Sequence, residues 1–106
     1  WDAVFGPDGA GPDGVRRLAG DRLFGIKLFA DGAIGSASAA VHEPYATTGE
    51  NGLLIYPPDE LTRRVVTASD AGFRVVVHAI GDRAVDVVLD AFEATGRPSA
   101  HRMEHA

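Results

Sequence analysis

Short β-branched runs alternate with stretches of helical periodicity, and this alternation constrains the fold more than any other feature of the chain. Residues 73–78, Phe-Arg-Val-Val-Val-His, are typical of a buried parallel strand. Residues 58–71 before it and residues 82–95 after it place apolar side chains at helical spacing. Residues 24–30 and 102–105 predict two further strands. This order predicts an α/β fold with a parallel sheet and right-handed crossovers.

Glycine, proline and aspartate mark the predicted breaks between these elements. Gly72 and Gly96 suit the position just beyond each long helix, where the backbone often becomes left-handed. Residues 6–14, GPDGAGPDG, are expected to form a loop. Residues 15–18 are expected to form a single helical turn that ends at Gly20.

The connection between the first two predicted strands is unusually long. Its first part, residues 31–57, is rich in Gly, Ser, Ala and Thr and predicts an irregular loop. Loops of this length in compact domains are usually functional, so we expect residues 31–57 to border an active site. The pattern alone leaves a barrel and an open doubly wound sheet equally open as the architecture.

Composition excludes several classes of protein. The chain has 106 residues, a net charge of −5 and no cysteine. The acidic balance argues against a nucleic-acid partner, and no apolar run is long enough to cross a membrane. Without cysteine, a metal would be held by histidine and carboxylates, and a cytoplasmic location is expected. Because the chain begins without methionine and ends within a predicted strand, we expect it to be an internal segment of a longer protein.

His78 and His105 are the sharpest candidates for a functional site. Each lies at the carboxyl end of a predicted parallel strand, one β–α unit apart. The loops after such strands leave a concavity, and neighbouring strands lie about 4.8 Å apart, so both imidazoles could bind one cation. Either histidine alone is better explained as a polar cap on its strand. For the two histidines in register, a role as metal ligands is the better explanation, since zinc, iron and nickel all bind imidazole.

Lys27 lies within an apolar predicted strand, where burial of an ammonium group is costly. Burial would favour the neutral amine, which can act as a nucleophile or add carbon dioxide to form a bridging carbamate. By position alone, a lysine that reaches solvent, or that pairs with Asp31 or another acid, is the better explanation. Lys27 becomes a candidate metal ligand only together with His78 and His105.

Five other polar residues are weaker candidates. Asp31 and Asp82 could support a metal-bound imidazole by hydrogen bonding or contact substrate, and Asp82 would also suit the N-cap of the helix that follows it. Strand alternation places Glu104 on the face opposite the metal site, as a structural ion-pair or hydrogen-bond partner. His42 is better explained as a solvated loop residue than as a substrate contact. His101 is expected at the surface.

Several short motifs, taken in order, resemble the amidohydrolase superfamily, and within it the YtcJ-like group (amidohydrolase family 3), which includes N-substituted formamide deformylases. The resemblance covers residues 20–106, and the order of its motifs is highly specific. The segments that carry it are KLFADGAIGS from Lys27, EPY from Glu43, GLL from Gly52, VHAIGDRA from Val77 and EHA from Glu104.

This resemblance implies part of a TIM-type (β/α)8 barrel, in which residues 1–106 carry strands four to six. The metal ligands that it implies are Lys27, as a carboxylated bridge, His78 and His105. It also implies hydrolysis of a non-peptide carbon–nitrogen bond by water activated by one or two divalent ions, with zinc expected. A His-x-His pair of the first strand and a general-base Asp of the eighth would lie outside these residues. The segment by itself is therefore expected to be inactive.

Two other functions stay open. A non-catalytic α/β binding or scaffolding protein would use Lys27, His78 and His105 structurally. A barrel-type lyase or isomerase would use Lys27 as a Schiff-base amine. For the hydrolase, the expected partner is a small amide-like molecule, with no nucleic acid and no membrane, and assembly into a homo-oligomer is an open possibility.

Overall fold

A computed structural model describes residues 1–19, 25–33 and 35–105, and these residues form a mixed α/β structure. In chain order the elements are α1 (Asp2–Phe5), α2 (Gly11–Ala19), β1 (Ile26–Phe29), α3 (Pro58–Asp70), β2 (Val75–His78), α4 (Asp82–Ala94), a single 3-10 turn (Pro98–Ala100) and β3 (Arg102–Glu104). Within the described ranges, no helix combines the length and the apolar character that crossing a membrane requires.

The three strands form one parallel sheet in the order β1-β2-β3, as the sequence predicts. Two rows of side chains run across the strands on the same face, because side chains alternate along each strand. The lower row is Lys27, Val76 and Arg102, and the upper row is Phe29, His78 and Glu104. The register therefore brings residues from three distant parts of the sequence onto one surface.

The hydrophobic core lies on the other face of the sheet, against α3 and α4. Its largest members from the strands are Ile26, Leu28, Val75 and Val77, and those from the helices include Leu61, Val65, Val88 and Phe92. Complete burial of such a side chain contributes roughly 1.5–3 kcal/mol. In β1 buried and exposed residues alternate, so this strand has one face in the core and one outside it.

The ends of the two long helices agree with the sequence within one residue. Gly72 and Gly96 follow them with φ of 90° and 74°, the left-handed backbone that glycine adopts without strain. The expected N-cap role of Asp82 is wrong: Gly81 occupies the cap position, and Asp82 is the first residue of α4. There its carboxylate still lies at the positive end of the helix dipole.

The N-terminal region is more helical than expected. Helix α2 begins at Gly11, inside the predicted loop 6–14, and the short helix α1 was not predicted. Pro12 and Asp13 are common in turns, but both also suit the first turn of a helix. The prediction that Gly20 ends this helix lies outside the described residues.

The described part of residues 31–57 is irregular, as predicted, and folds back along the end of β1. An isolated antiparallel bridge joins Asp31 to Leu54. Main-chain hydrogen bonds hold the loop further: Ile55 N to Ala30 O at 2.8 Å, Leu53 N to Ser38 O at 3.3 Å, Val41 N to Asn51 O at 2.9 Å and Tyr45 N to Glu50 O at 2.8 Å. The loop is therefore an ordered structure held mainly by its own backbone.

His101 joins the amino end of β2 to α3 and is only partly exposed, so the prediction of a surface histidine holds only in part. Its Nδ1 accepts a hydrogen bond from Val75 N at 3.0 Å, and its Nε2 lies 3.1 Å from Ser69 Oγ. The Arg97 guanidinium donates to the main-chain oxygen of Ser69 at 2.9 Å. A ring with Nδ1 as acceptor and Nε2 as donor is neutral, so this network requires the uncharged imidazole.

Gly81→Ala is expected to destabilise the protein, because the loop passes very close to the start of α4. A Cβ at Gly81 would lie 1.8 Å from the carbonyl oxygen of Ala40, so the backbone would have to move. We expect a loss of about 1–3 kcal/mol in the free energy of unfolding, measured by urea titration followed by circular dichroism. Gly35→Ala is the control, since a Cβ there would have no neighbour within 4 Å. Equal midpoints for the two variants would contradict this packing.

Stability is expected to fall with acid through His101. The pKa of His101 is lowered by burial and, to a smaller extent, by the charges of Arg97 and Arg74. As the pH falls through about 6.5, the unfolded chain therefore takes up this proton before the folded chain does, and stability is lost until the folded pKa is passed.

The measurement is the difference in melting temperature between about pH 7.5 and about pH 5.5, for the wild type and for His101→Asn. The asparagine oxygen can still accept from Val75 N, but the side chain does not titrate. We expect the variant to show a smaller acid-dependent decrease. An unchanged decrease would exclude His101 as the group responsible.

Candidate active site

Lys27 projects from β1 on the face of the sheet that the helices leave uncovered. Its side chain is 46% exposed, and Nζ lies 3.6 Å from Oε1 of Glu104 and 5.2 Å from the ring centroid of Phe29. The burial that would favour a neutral amine is not seen, because the described helices cover only the opposite face of the sheet. The alternative, a lysine paired with an acid, matches the structure, with Glu104 rather than Asp31 as the acid.

His78 ends β2 beside Phe29 and is largely buried, with a side chain that is 14% exposed. Its Nε2 lies 2.8 Å from the carbonyl oxygen of Gly32. A carbonyl oxygen can only accept, so Nε2 carries the hydrogen, and in the neutral ring the lone pair then lies on Nδ1. The contact with Gly32 thus sets which nitrogen of His78 can bind a cation.

His105 follows β3 directly and packs against His78. The two ring centroids are 5.1 Å apart, with the planes inclined at 56°. The backbone of His105 is left-handed, with φ of 69°, which is uncommon for a residue other than glycine. The chain therefore turns immediately after Glu104, and strand alternation does not extend to His105.

Glu104 lies on the same face as Lys27 and His78, so its predicted position on the opposite face is wrong. The error comes from extending the alternation through His105, where the strand has already ended. Glu104 does form ion pairs, as predicted: Oε1 with Lys27, and Oε2 with Arg102 Nη2 at 3.2 Å. The pairing of His78 with Glu104 in the sheet register is the signal that would have placed it correctly.

Asp31 and Asp82 hold main-chain groups close to this surface. The buried carboxylate of Asp31 accepts hydrogen bonds from the amides of Ala40, Ile80 and Gly81 at 2.8, 3.0 and 2.8 Å. Oδ1 of Asp82 accepts from the amides of His42 and Arg83 at 2.9 and 2.8 Å. Both acids therefore organise the loop and the start of α4.

His42 also contacts α4 through its side chain. Its Nε2 lies 2.6 Å from Oδ2 of Asp86, and the imidazole is 52% exposed. The predicted solvated loop histidine is thus half exposed and paired with an acid. It lies on the helix side of the loop, where it fixes the path of residues 41–43.

An open concavity of about 360 Å³ lies on the uncovered face of the sheet. Its walls are Gly25, Lys27, Val76, Arg102 and Glu104. An ammonium, a guanidinium and a carboxylate on this surface can bind polar or charged groups, and the paired imidazoles lie just beyond it. In the described part of the chain, no group of three or more His, Asp or Glu side chains is arranged to hold a metal ion. His78 and His105 bring two imidazoles into contact at neighbouring strand ends.

A parallel sheet with imidazoles at the carboxyl ends of its strands defines a class of α/β protein in which the site forms at that end of the sheet. The chain belongs to the amidohydrolase family, whose model matches residues 16–106. This confirms the resemblance carried by the motifs from Lys27 to Ala106.

Three relatives are similar over most of this chain. Protein LONG AFTER FAR-RED 3 of Arabidopsis thaliana is 40% identical over 90 residues, which cover 79% of this chain and 15% of the relative. The putative amidohydrolase YtcJ of Bacillus subtilis is 42% identical over 82 residues, covering 74% and 16%. The N-substituted formamide deformylase of Arthrobacter pascens is 37% identical over 87 residues, covering 76% and 16%. The chain thus spans only about a sixth of the length of these relatives.

A solved structure has the same arrangement of elements. It is the crystal structure of a metal-dependent hydrolase from Pyrococcus horikoshii, which superposes with a TM-score of 0.66 at 35% sequence identity. The match covers 87% of this chain and 21% of that structure. The described α/β unit is therefore similar to about a fifth of a metal-dependent hydrolase.

Proposed function

We propose that this chain is the central part of a metal-dependent hydrolase that cleaves non-peptide carbon–nitrogen bonds. The observation that carries the proposal is the contact between His78 and His105 at neighbouring strand ends, with Lys27 in the next row on the same face of the sheet. The chain that carries them is a member of the amidohydrolase family. Metal-dependent hydrolases among the structural neighbours support it. Because the chain spans a small part of its relatives, the activity belongs to the whole protein, and residues 1–106 alone are expected to be inactive.

In this proposal β1, β2 and β3 are strands four to six of a TIM-type (β/α)8 barrel. Helices on one face of a parallel sheet, with the other face left uncovered by them, are the arrangement that a barrel wall has. The uncovered face would then line the barrel interior. Residues 31–57 would border the mouth of the barrel, where such enzymes bind substrate.

The donor chemistry of the site fits a divalent metal. The hydrogen bond to Gly32 leaves Nδ1 of His78 as its donor atom, and His105 would supply a second imidazole. In a chain without cysteine, nitrogen and oxygen donors of this kind favour zinc, as one or two ions. When bound, a divalent metal would polarise the scissile carbonyl and make water nucleophilic near neutral pH.

Lys27 would contribute as a carbamate. After the ammonium has lost one proton, the amine adds to the carbon of carbon dioxide. A nitrogen–carbon bond forms, one carbon–oxygen π bond breaks with its electron pair moving to that oxygen, and a second proton leaves the nitrogen. Glu104, whose Oε1 lies 3.6 Å from Nζ, is positioned to accept that proton. The product is an anion in place of a cation, which suits it to a position between metal ions. Asp82 and Asp31 hold the surrounding main chain.

The substrate that we propose is a small amide-like molecule, since one relative is named an N-substituted formamide deformylase. The charged side chains in the wall of the concavity, Lys27, Arg102 and Glu104, would bind the carbonyl and nitrogen of such a molecule. Assembly into a homo-oligomer and a cytoplasmic location stay predictions from the sequence.

Lys27→Ala and His78→Ala are expected to remove most of the bound metal from the full-length protein. Each substitution deletes a proposed ligand, so metal content after dialysis, measured by inductively coupled plasma mass spectrometry, should fall at least about tenfold. His42→Ala is the matched control, because His42 pairs with Asp86 on the helix side of the loop. We expect this variant to retain the metal content of the wild type.

The same variants separate the hydrolase from the two alternatives. Full metal content in folded Lys27→Ala and His78→Ala would favour a binding or scaffolding protein, in which the Lys27–Glu104 ion pair and the His78–Gly32 hydrogen bond are structural. Borohydride trapping of a carbonyl compound on Lys27 would instead favour a Schiff-base lyase or isomerase. Partial recovery of metal by Lys27→Ala in acetate would support the carbamate, because acetate can replace its carboxylate.

A further inference from the structure

The side chain of Asp31 is fully buried, and in the described part of the chain its hydrogen bonds are all with main-chain amides. Its two oxygens accept three main-chain hydrogen bonds, from Ala40 in the loop and from Ile80 and Gly81 in the turn after β2. These amides belong to segments about forty residues apart. A carboxylate that accepts only from main-chain amides holds backbone positions, and here it holds two segments together.

His78 is hydrogen-bonded to the residue that follows Asp31. Its Nε2 donates to the carbonyl oxygen of Gly32, the residue after Asp31, at 2.8 Å. Oδ1 of Asp31 lies 3.7 Å from that nitrogen. The nearby negative charge favours a hydrogen on Nε2 rather than on Nδ1. The orientation of the ring and the position of its hydrogen thus both depend on Asp31 and its neighbour.

The backbone around Asp31 leaves little space for rearrangement. A Cβ at Gly32 would lie 2.0 Å from Ser38 Oγ, and a Cβ at Gly81 would lie 1.8 Å from the carbonyl oxygen of Ala40. The loop and the turn after His78 are therefore in direct main-chain contact. If either segment moves, the other must therefore move with it.

We propose that Asp31 is a positioning residue that fixes the ring and the hydrogen of His78 and couples the loop of residues 38–41 to the turn of residues 79–81. It acts through Gly32 and the three amides. The inference rests on the proposed function in that His78 is a metal ligand. The new element is that the loop and His78 change position together.

The test compares Asp31→Asn with the wild type in the full-length protein. The amide offers one acceptor oxygen and places an N–H₂ group toward main-chain N–H donors, so at least one of the three hydrogen bonds is lost. Ser69→Ala is the matched control, because Ser69 is also buried and its hydroxyl contacts the side chains of Arg97 and His101, at the opposite end of the sheet.

The first readout needs no metal. In protein labelled with ¹⁵N-histidine, with the His78 signals assigned from His78→Gln, the two ring nitrogens report which one carries the hydrogen at alkaline pH. We expect the wild type and Ser69→Ala to carry it on Nε2, and Asp31→Asn to show a mixture of both forms. An unchanged pattern in folded Asp31→Asn would overturn the inference, whether or not the wild type binds metal.

The second readout is the metal. We expect Asp31→Asn to bind Zn²⁺ about 10–100-fold more weakly and to give a shifted Co²⁺ absorption spectrum, with Ser69→Ala unchanged. Wild-type affinity and spectrum in Asp31→Asn would overturn the inference while the proposed metal site stands. A wild type that binds neither ion would refute the proposed function, and the ring-nitrogen pattern would then decide on Asp31 alone.

A third measurement keeps the inference testable if Asp31→Asn does not fold. In the wild-type protein, we expect Zn²⁺ to slow hydrogen exchange at the amides of Ala40, Ile80 and Gly81 together. The amide of Phe73, bonded to Ala68 at the end of α3, is the control and should not change. If Zn²⁺ slows exchange at Ile80 and Gly81 but leaves the exchange rate of the Ala40 amide unchanged, the loop and the turn are not coupled.

Discussion

Three main-chain amides depend on one buried carboxylate, that of Asp31. A buried amide without an acceptor costs about 1–3 kcal/mol, so the loop and the turn after β2 have few alternatives to their observed positions. The close backbone contact between Gly81 and Ala40 follows from this attachment. So does the position of the Gly32 carbonyl that receives the hydrogen of His78. The geometry of the candidate site thus originates at the carboxyl end of β1.

Because side chains alternate along the four residues of β1, one pair packs in the core and the other pair faces the candidate site. Ile26 and Leu28 enter the core against the helices, while Lys27 and Phe29 face the uncovered side of the sheet. Substitutions on the first set change stability, and those on the second set change the surface that carries the site. The contacts of His101 with Ser69 and Val75 stabilise the other end of the sheet, away from the paired imidazoles.

Periodicity and glycine positions were sufficient to predict the strands, the two long helices and the parallel order. They also brought attention to His78 and His105, because both lie at strand ends. A Lys27 that reaches solvent or pairs with an acid was the better explanation by position, but its partner Glu104 could not be identified, since a sequence pattern does not say which side chains of different strands meet. Glu104 was misplaced because the left-handed backbone of His105 has no signature in a residue other than glycine. The role of Asp31 depends on amides distant in sequence, which a linear pattern does not connect.

The irregular loop is held by hydrogen bonds between its own main-chain groups and by two carboxylates that also bind main chain. Most side chains in such a segment are not needed to define its path. Leu53 and Ile55, exposed by 75% and 53%, are examples of positions whose backbone is bonded while the side chain is free. Residue identity can therefore diversify along the rim of the site while the scaffold that carries it keeps its shape.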